Sequence, residues 1–127
     1  MKKIIQTELA PKAAGPYNQA LEANDMLFVS GQIAMHPVKG TLVGKKINRQ
    51  TAQVLENIKN IIEESGYKLS NVVKTTCYLL KIKDFTKMNR IYADFFPDEM
   101  PARTTVAVSS LPKKALIMVD AIAIKQG

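Results

Sequence analysis

Apolar residues recur every three or four positions in two segments of the chain, and this spacing predicts two amphipathic helices. The first begins at Asn48 in "NRQTAQVLENIKNIIEES", and Gly66 is expected to end it. The second is "DFTKMNRIYADFF", in which Asp84 is expected to cap the N-terminus. Its predicted buried face consists of Phe85, Met88, Ile91, Tyr92 and Phe95.

Short apolar or β-branched runs predict strands on both sides of these helices. Three lie before the first helix, in "KKIIQT", "GPYNQALEAN" and "DMLFVSGQIAM", and the first of these is expected at a sheet edge. One, "NVVKTTCYLL", lies between the helices, while "ARTTVAVSS" and "ALIMVDAIAI" close the chain and are expected to pair as a hairpin. The order β-β-β-α-β-α-β-β predicts one α+β domain over residues 1–127, with both helices on one face of a sheet of about six strands.

The opposite face of this sheet has no obvious cover within the chain. The strands "VVKTTCYLL" and "ALIMVDAIAI" are apolar on both of their alternating faces. A chain of 127 residues has little left over to bury a second sheet face. The pattern therefore predicts that the protein associates with itself.

Composition limits the classes of function. The chain is 46% hydrophobic and has no run long enough for a membrane span, and its N-terminus lacks the pattern of a signal peptide. One cysteine excludes an internal disulfide, so the expected location is the cytoplasm. The net charge is +7, but the lysines are dispersed and are not interleaved with aromatic residues, so a solvated surface is expected rather than a nucleic-acid site.

Few residues are suited to metal or nucleophilic chemistry. His36 is the only histidine and Cys77 the only cysteine, which excludes a typical zinc site and predicts no metal. His36 precedes a proline in a loop-like segment and is expected at the surface. Cys77 lies in the middle of a strand and is expected to pack as a small hydrophobic residue.

Arg103 is the best candidate for a binding site. A guanidinium group at the start of a strand is either exposed at the strand end or held to bind a carboxylate, which its planar fork matches. Tyr17 follows Gly15-Pro16 and is either fixed by that turn for binding or packed against the core. The Ser30-Gly31 step is a weaker candidate, in which a hydroxyl and a backbone N–H are exposed together.

Several strings, taken in combination and in order, resemble the RidA/YjgF family of reactive-intermediate deaminases. They are "APKAAGPYNQAL", "LFVSGQIAMHPVKG", "NIKNIIEESGYKLSNVVKTTCYL", "FPDEMPARTTVAV" and "LPKKALIMVDAIAI". The resemblance implies a chorismate-mutase-like fold of the bacillus type, assembled as a homotrimer with clefts at the subunit interfaces. It also implies hydrolysis of 2-iminobutanoate and 2-iminopropanoate, released by pyridoxal-phosphate dehydratases, to 2-oxo acids and ammonia without a cofactor.

The resemblance implies roles for individual residues. Arg103 corresponds to the arginine that binds the carboxylate of the ligand, and Tyr17 to a tyrosine that lines the cleft and takes part in the reaction. The other implied ligand contacts are Ser30, Gly31, Thr105 (through its backbone N–H, where many members have a cysteine) and Asn89.

One position departs from the family pattern. The last strand of the deaminating members carries a glutamate that positions or activates the attacking water, and this position is Met118 here. Asp120 lies two residues away on the same strand face, about 6.8 Å along the strand, and is the remaining candidate acid. The sequence thus predicts a deaminase with weakened or altered activity. The alternatives are a non-catalytic protein that binds 2-keto acids or amino-acid metabolites in the same cleft, and, with less support, a ribonuclease or translation inhibitor.

Overall fold

The computed structural model describes residues 1–96 and 99–125, and within them it has six strands and two α-helices in the predicted order. Short 3₁₀ turns connect several of these elements. The strands are β1 (Lys3–Ile5), β2 (Ala20–Ala23), β3 (Met26–Gln32), β4 (Val72–Leu79), β5 (Ala102–Ala107) and β6 (Ile117–Ile124), and the helices are α1 (Ile47–Glu64) and α2 (Phe85–Phe95).

The six strands form one mixed sheet in the order β1-β2-β3-β6-β4-β5. β4 and β5 are parallel, and every other neighbouring pair is antiparallel. The predicted hairpin between β5 and β6 is therefore wrong, because β6 inserts between β3 and β4. β6 is buried at alternate positions along most of its length and gains a partner on each side, whereas β5 has no buried residue and takes the edge.

Both helices cover one face of the sheet, as predicted. Along β6 the helix-facing side chains are fully or almost fully buried, and α1 contributes most of the apolar residues that meet them. In α2 only Met88 and Tyr92 of the predicted face are buried, because the helix is short and lies over an edge of the sheet. The helix-facing residues of β6 are Ile117, Val119, Ala121 and Ala123.

The ends of the helices follow the predicted signals only in part. Gly66 lies just beyond α1 with a φ of +81°, in the left-handed region that favours glycine. Asp84 does occupy the N-cap position of α2, but its side chain makes no capping hydrogen bond, so the predicted cap is wrong in its chemistry. Neither helix in the described part of the chain is long and apolar enough to cross a membrane.

The other face of the sheet, which we call the open face, carries apolar side chains that the chain itself leaves partly uncovered. Phe28 of β3 is 38% exposed and lies opposite the half-buried Ile122 of β6. Ile124 and Val106 are exposed to a similar degree on the same face. The apolar open face predicted from the strand pattern is thus confirmed for part of β6, whereas the prediction is wrong for β4, which contributes Lys74, Thr76 and Tyr78 to this face.

Candidate functional site

The connection between β1 and β2 carries Tyr17, and one buried amide fixes this connection in place. The side chain of Gln19 is only 3% exposed. Its Oε1 accepts the Thr7 N–H at 2.7 Å, and its Nε2 donates to the carbonyl oxygens of Thr7 at 3.0 Å and Pro11 at 2.8 Å. Gln19 is not among the residues predicted from the sequence, since a glutamine in a loop gives no local signal of the backbone groups it will meet.

A β-bulge in β3 presents Ser30 and Gly31. Val29 pairs with Ala121 and Gln32 pairs with Val119. Two residues of β3, Ser30 and Gly31, therefore lie opposite a single residue of β6, Asp120. A bulge bends the strand and redirects its side chains. The Ser30 hydroxyl donates to the Asn18 carbonyl oxygen at 2.6 Å, so its proton is engaged within the protein and only its lone pairs face outward.

The loop and the bulge enclose a cavity of about 430 Å³ that we call the loop–bulge cavity. Its lining includes four of the residues assigned by the family resemblance, together with Met118 and two lysines. The assigned residues are Tyr17, Ser30, Gly31 and Asp120, and the lysines are Lys12 and Lys113. The structure thus brings this part of the predicted site together.

Met118 forms part of the wall of this cavity by packing directly against Gly31. A Cβ atom added at Gly31 would lie 2.9 Å from the Met118 Sδ and 3.1 Å from its Cγ. No side chain larger than hydrogen fits at position 31 while Met118 keeps this conformation. A thioether therefore lies where the family pattern has a carboxylate.

Asp120 has a partner on the open face of the sheet. The Tyr78 hydroxyl donates to Asp120 Oδ2 at 3.1 Å. Burial raises the pKa of Tyr78, and the negative charge and hydrogen bond of Asp120 raise it further. One oxygen of Asp120 is thus occupied by a phenol that remains protonated, and Asp120 lies on the same strand face as Met118, as the alternation predicted.

Arg103 lies at the opposite edge of the sheet and is held by two aromatic rings. Its guanidinium carbon is 4.8 Å from the centre of the Tyr92 ring and 5.4 Å from that of Phe85. The Tyr92 hydroxyl is hydrogen-bonded to Thr75 Oγ1 at 2.7 Å, which fixes the ring beneath the guanidinium. Arg103 is half-buried and stacked, so it is not an exposed strand end that reaches only water.

Asn89 and Thr105 accompany Arg103. Asn89 of α2 and Arg103 line the same shallow depression at this edge. Within the described residues, Asn89 Oδ1 is a buried oxygen that has no hydrogen-bond partner, and an unpaired buried oxygen is costly. The Thr105 hydroxyl is also buried, and it lies beside the Cys77 thiol, where a hydrogen bond from it acts to lower the pKa of that thiol.

Cys77 and His36 have the structural roles that were expected of them. Cys77 is fully buried, and burial raises the pKa of its thiol to about 11 although the charge of Arg103 acts to lower it. His36 Nδ1 accepts the backbone N–H groups of Val38 and Lys39, each at 3.1 Å, and so stabilises a surface turn. The described residues contain no cluster of potential metal ligands.

The two groups of candidate residues do not meet within one chain. β5 is separated from β3 by β6 and β4, which corresponds to about 14 Å at the usual strand spacing. Arg103 pairs with the buried Thr75 on the helix-covered face, whereas Asp120 pairs with Thr76 and lies on the open face. A single small ligand therefore cannot contact Arg103 and the loop–bulge cavity of the same chain.

The link between Asp120 and Tyr78 predicts a measurable titration. We expect the pKa of Tyr78 to fall when Asp120→Asn removes the negative charge that opposes formation of the phenolate, while the contribution of burial remains. Ultraviolet absorbance followed as pH rises measures this ionisation, and the Tyr78→Phe variant identifies which part of the signal belongs to Tyr78. An unchanged Tyr78 titration in Asp120→Asn would contradict the contact.

Comparison with known proteins places the chain in a family. Residues 7–125 match the family model described as Endoribonuclease L-PSP. A RutC family protein of Pyrococcus horikoshii is 52% identical over 99% of this chain and all of its own length. A chloroplastic protein of Arabidopsis thaliana named Reactive Intermediate Deaminase A is 44% identical over 96% of this chain and 65% of its own.

Solved structures agree with this relationship. The crystal structure of E. coli TdcF with bound serine superposes with a TM-score of 0.94 at 35% identity and covers 98% of this chain and 99% of that one. The six-stranded mixed sheet and the two helices are thus the fold of these proteins as well. The chain belongs to the RidA/YjgF family, whose model carries the description Endoribonuclease L-PSP.

Proposed function

We propose that this protein is a cytoplasmic deaminase that hydrolyses small 2-imino acids, with 2-iminobutanoate and 2-iminopropanoate as substrates. The observation that carries the proposal is Arg103, stacked on Tyr92 and Phe85 in the same depression as Asn89, whose buried side-chain oxygen has no hydrogen-bond partner. A fixed guanidinium binds a carboxylate through two parallel hydrogen bonds. The Arabidopsis relative named as a reactive-intermediate deaminase and the serine bound to TdcF support a small carboxylate-bearing ligand.

The site proposed for this reaction is shared between subunits of a homotrimer. Arg103, Asn89 and Thr105 of one subunit face Tyr17, Ser30 and Gly31 of its neighbour. Two observations support this arrangement: the candidate residues lie at opposite edges of one sheet, and the open face of that sheet is partly apolar. Closing three sheets around a common centre would bury the open face and bring the two edges together.

The reaction needs water and no cofactor. Water attacks C2 of the protonated imine: a C–O bond forms, the π pair of the C=N bond moves to nitrogen, and the added water gives up one proton, which leaves a carbinolamine. Loss of ammonia then leaves the 2-oxo acid, so one water is consumed for each ammonia released. Arg103 orients the carboxylate, and the Thr105 backbone N–H and the Asn89 side chain complete the binding of that end.

The site has no strong candidate for the general base in this reaction. Met118 cannot accept a proton, and Asp120 has one oxygen hydrogen-bonded to Tyr78. Loss of a general base typically costs about 10²–10⁴-fold in rate. The proposed enzyme therefore relies on orientation of an already reactive imine. Among the described residues that line the loop–bulge cavity, Asp120 is the only carboxylate, and one of its oxygens is left for this role.

A second candidate function is non-catalytic binding of 2-keto acids or amino-acid metabolites in the same cleft. The observation that favours it is the thioether of Met118 packed on Gly31, because it removes the usual carboxylate but keeps the residues that bind. A ribonuclease has less support, since the loop–bulge cavity contains no histidine and its only titratable groups are Lys12, Tyr17, Lys113 and Asp120.

The role of Arg103 can be tested with imines generated in place by a serine/threonine dehydratase. We expect Arg103→Ala to lower the acceleration of 2-oxo acid release by at least about tenfold, because a charge-assisted hydrogen bond contributes roughly 1.5–3 kcal/mol. Arg90→Ala, which removes an exposed arginine of α2, is the matched control and should leave the rate unchanged. Equal rates for all three proteins would argue against the assigned role.

The role of position 118 can be tested by a pair of variants of the same shape. Met118→Glu supplies a base and should raise the rate by about 10²-fold or more, whereas Met118→Gln has a similar volume but no basic oxygen and should not. Product release is measured with the same dehydratase assay. If the wild-type protein binds 2-ketobutyrate but does not accelerate imine hydrolysis, the non-catalytic binding function is favoured. A gain of hydrolysis in Met118→Glu would then show that the lack of a base at position 118 is what prevents catalysis.

The shared site predicts that assembly and activity are lost together. Phe28→Lys places a charge on the open face opposite Ile122, and we expect it to convert trimers into monomers with little deaminase activity. Val38→Lys alters a side chain that is 85% exposed and serves as the control. Sedimentation velocity gives the mass, and an active monomer would rule out a site built from two subunits.

A further inference from the structure

A second concave site, unrelated to the loop–bulge cavity, lies beside the start of α1. Its volume is about 390 Å³, and we call it the lysine cavity. Two separate chain segments supply its charged lining: the loop before α1, and the continuous stretch formed by the turn before α2 and the first turn of α2. Five lysines make up most of this charged lining: Lys45, Lys46, Lys81, Lys83 and Lys87.

The charge around this cavity is one-sided. All five lysines are exposed, and Asp84 is the only carboxylate in the lining. Like charges that share a concave surface repel one another, and the repulsion is screened less there than on a convex one. An anion of high charge would relieve this repulsion, so the arrangement favours binding of an anion over an empty site.

The backbone at the start of α1 adds to the same preference. This helix of eighteen residues begins at Ile47 with Lys46 as its N-cap, no side chain caps it, and its first turn contains no acidic residue. Ile47 and Asn48 line the cavity. Their N–H groups lie at the positive end of the helix dipole, where an anion is stabilised.

The shape and the other lining residues indicate the class of ligand. The apolar part of the lining is limited to Ile47 and Leu116, and no aromatic ring is present for a nucleobase to stack on. A concavity of about 390 Å³ has room for a compact ligand. Lysines bind phosphate as point charges, and five of them exceed what a single carboxylate would neutralise.

We propose that the lysine cavity binds a compact, multiply charged phosphate anion of the diphosphate type. It shares no lining residue with the loop–bulge cavity or with the depression around Arg103 and Asn89. The proposal is therefore independent of the deaminase function. Occupation of the site would tie the loop before α1 to the start of α2 and so stabilise the folded chain.

Inorganic pyrophosphate is the probe, titrated calorimetrically into the full-length protein at constant ionic strength. The wild-type protein should bind it, and Lys81→Gln/Lys83→Gln should weaken the binding by at least about tenfold. Lys2→Gln/Lys3→Gln is the matched control, because it lowers the net charge equally at exposed positions on and next to β1. The control should bind pyrophosphate within about twofold of wild type.

Asp84→Asn is expected to change the affinity for pyrophosphate in the opposite direction. It removes the one carboxylate of the cavity and should tighten pyrophosphate binding, and it costs little stability because the Asp84 side chain caps no backbone N–H. Thermal melting without ligand verifies that every variant is folded.

Three results would overturn the proposal. One is the absence of pyrophosphate binding by the wild-type protein. Another is an equal loss of binding in both double-lysine variants, which would indicate general charge attraction instead of a local site. The third is tighter binding of a single-stranded RNA oligomer than of pyrophosphate, also sensitive to Lys81→Gln/Lys83→Gln, which would make the cavity part of a polymer-binding surface.

Discussion

The insertion of β6 between β3 and β4 is the constraint on which the rest of the structure depends. It gives the most apolar strand a hydrogen-bonded neighbour on each side, so that its alternate residues are buried beneath α1. The same pairing sets Met118 and Asp120 beside the bulge of β3 and leaves β5 at the edge. The positions of both candidate half-sites therefore follow from the partners of one strand.

This arrangement separates Arg103 from the loop–bulge cavity within one chain. Arg103 is rigid because Tyr92 and Phe85 hold its guanidinium, and the loop that carries Tyr17 is rigid because Gln19 bonds to its backbone. Each half is thus organised in advance within its own chain. Assembly of the proposed trimer would then bring two organised edges together, which costs less conformational entropy than ordering a site on binding.

Met118 is the position at which this chain departs from the pattern that the family resemblance implies. Its side chain fills the space above Gly31 and turns one wall of the loop–bulge cavity apolar, while Asp120 is drawn toward Tyr78. In the proposed site, position 118 lies on β6, whereas Arg103 lies on β5 and Ser30 and Gly31 lie on β3. A change at position 118 would thus alter the proposed chemistry without removing any of the proposed binding residues.

The sequence by itself determined the elements and the family, because a helical or alternating period is a local property and because motifs such as "GPY" and "PAR" keep their order along the chain. It also identified Arg103, whose residue type matches a carboxylate. Only the tertiary structure decided that β6 pairs with β3 and β4 instead of β5, that Gln19 fixes the loop of Tyr17, and that five lysines from two segments surround one cavity. Each of these depends on which distant backbone groups or charges come together, and a local pattern does not specify a partner remote in the chain.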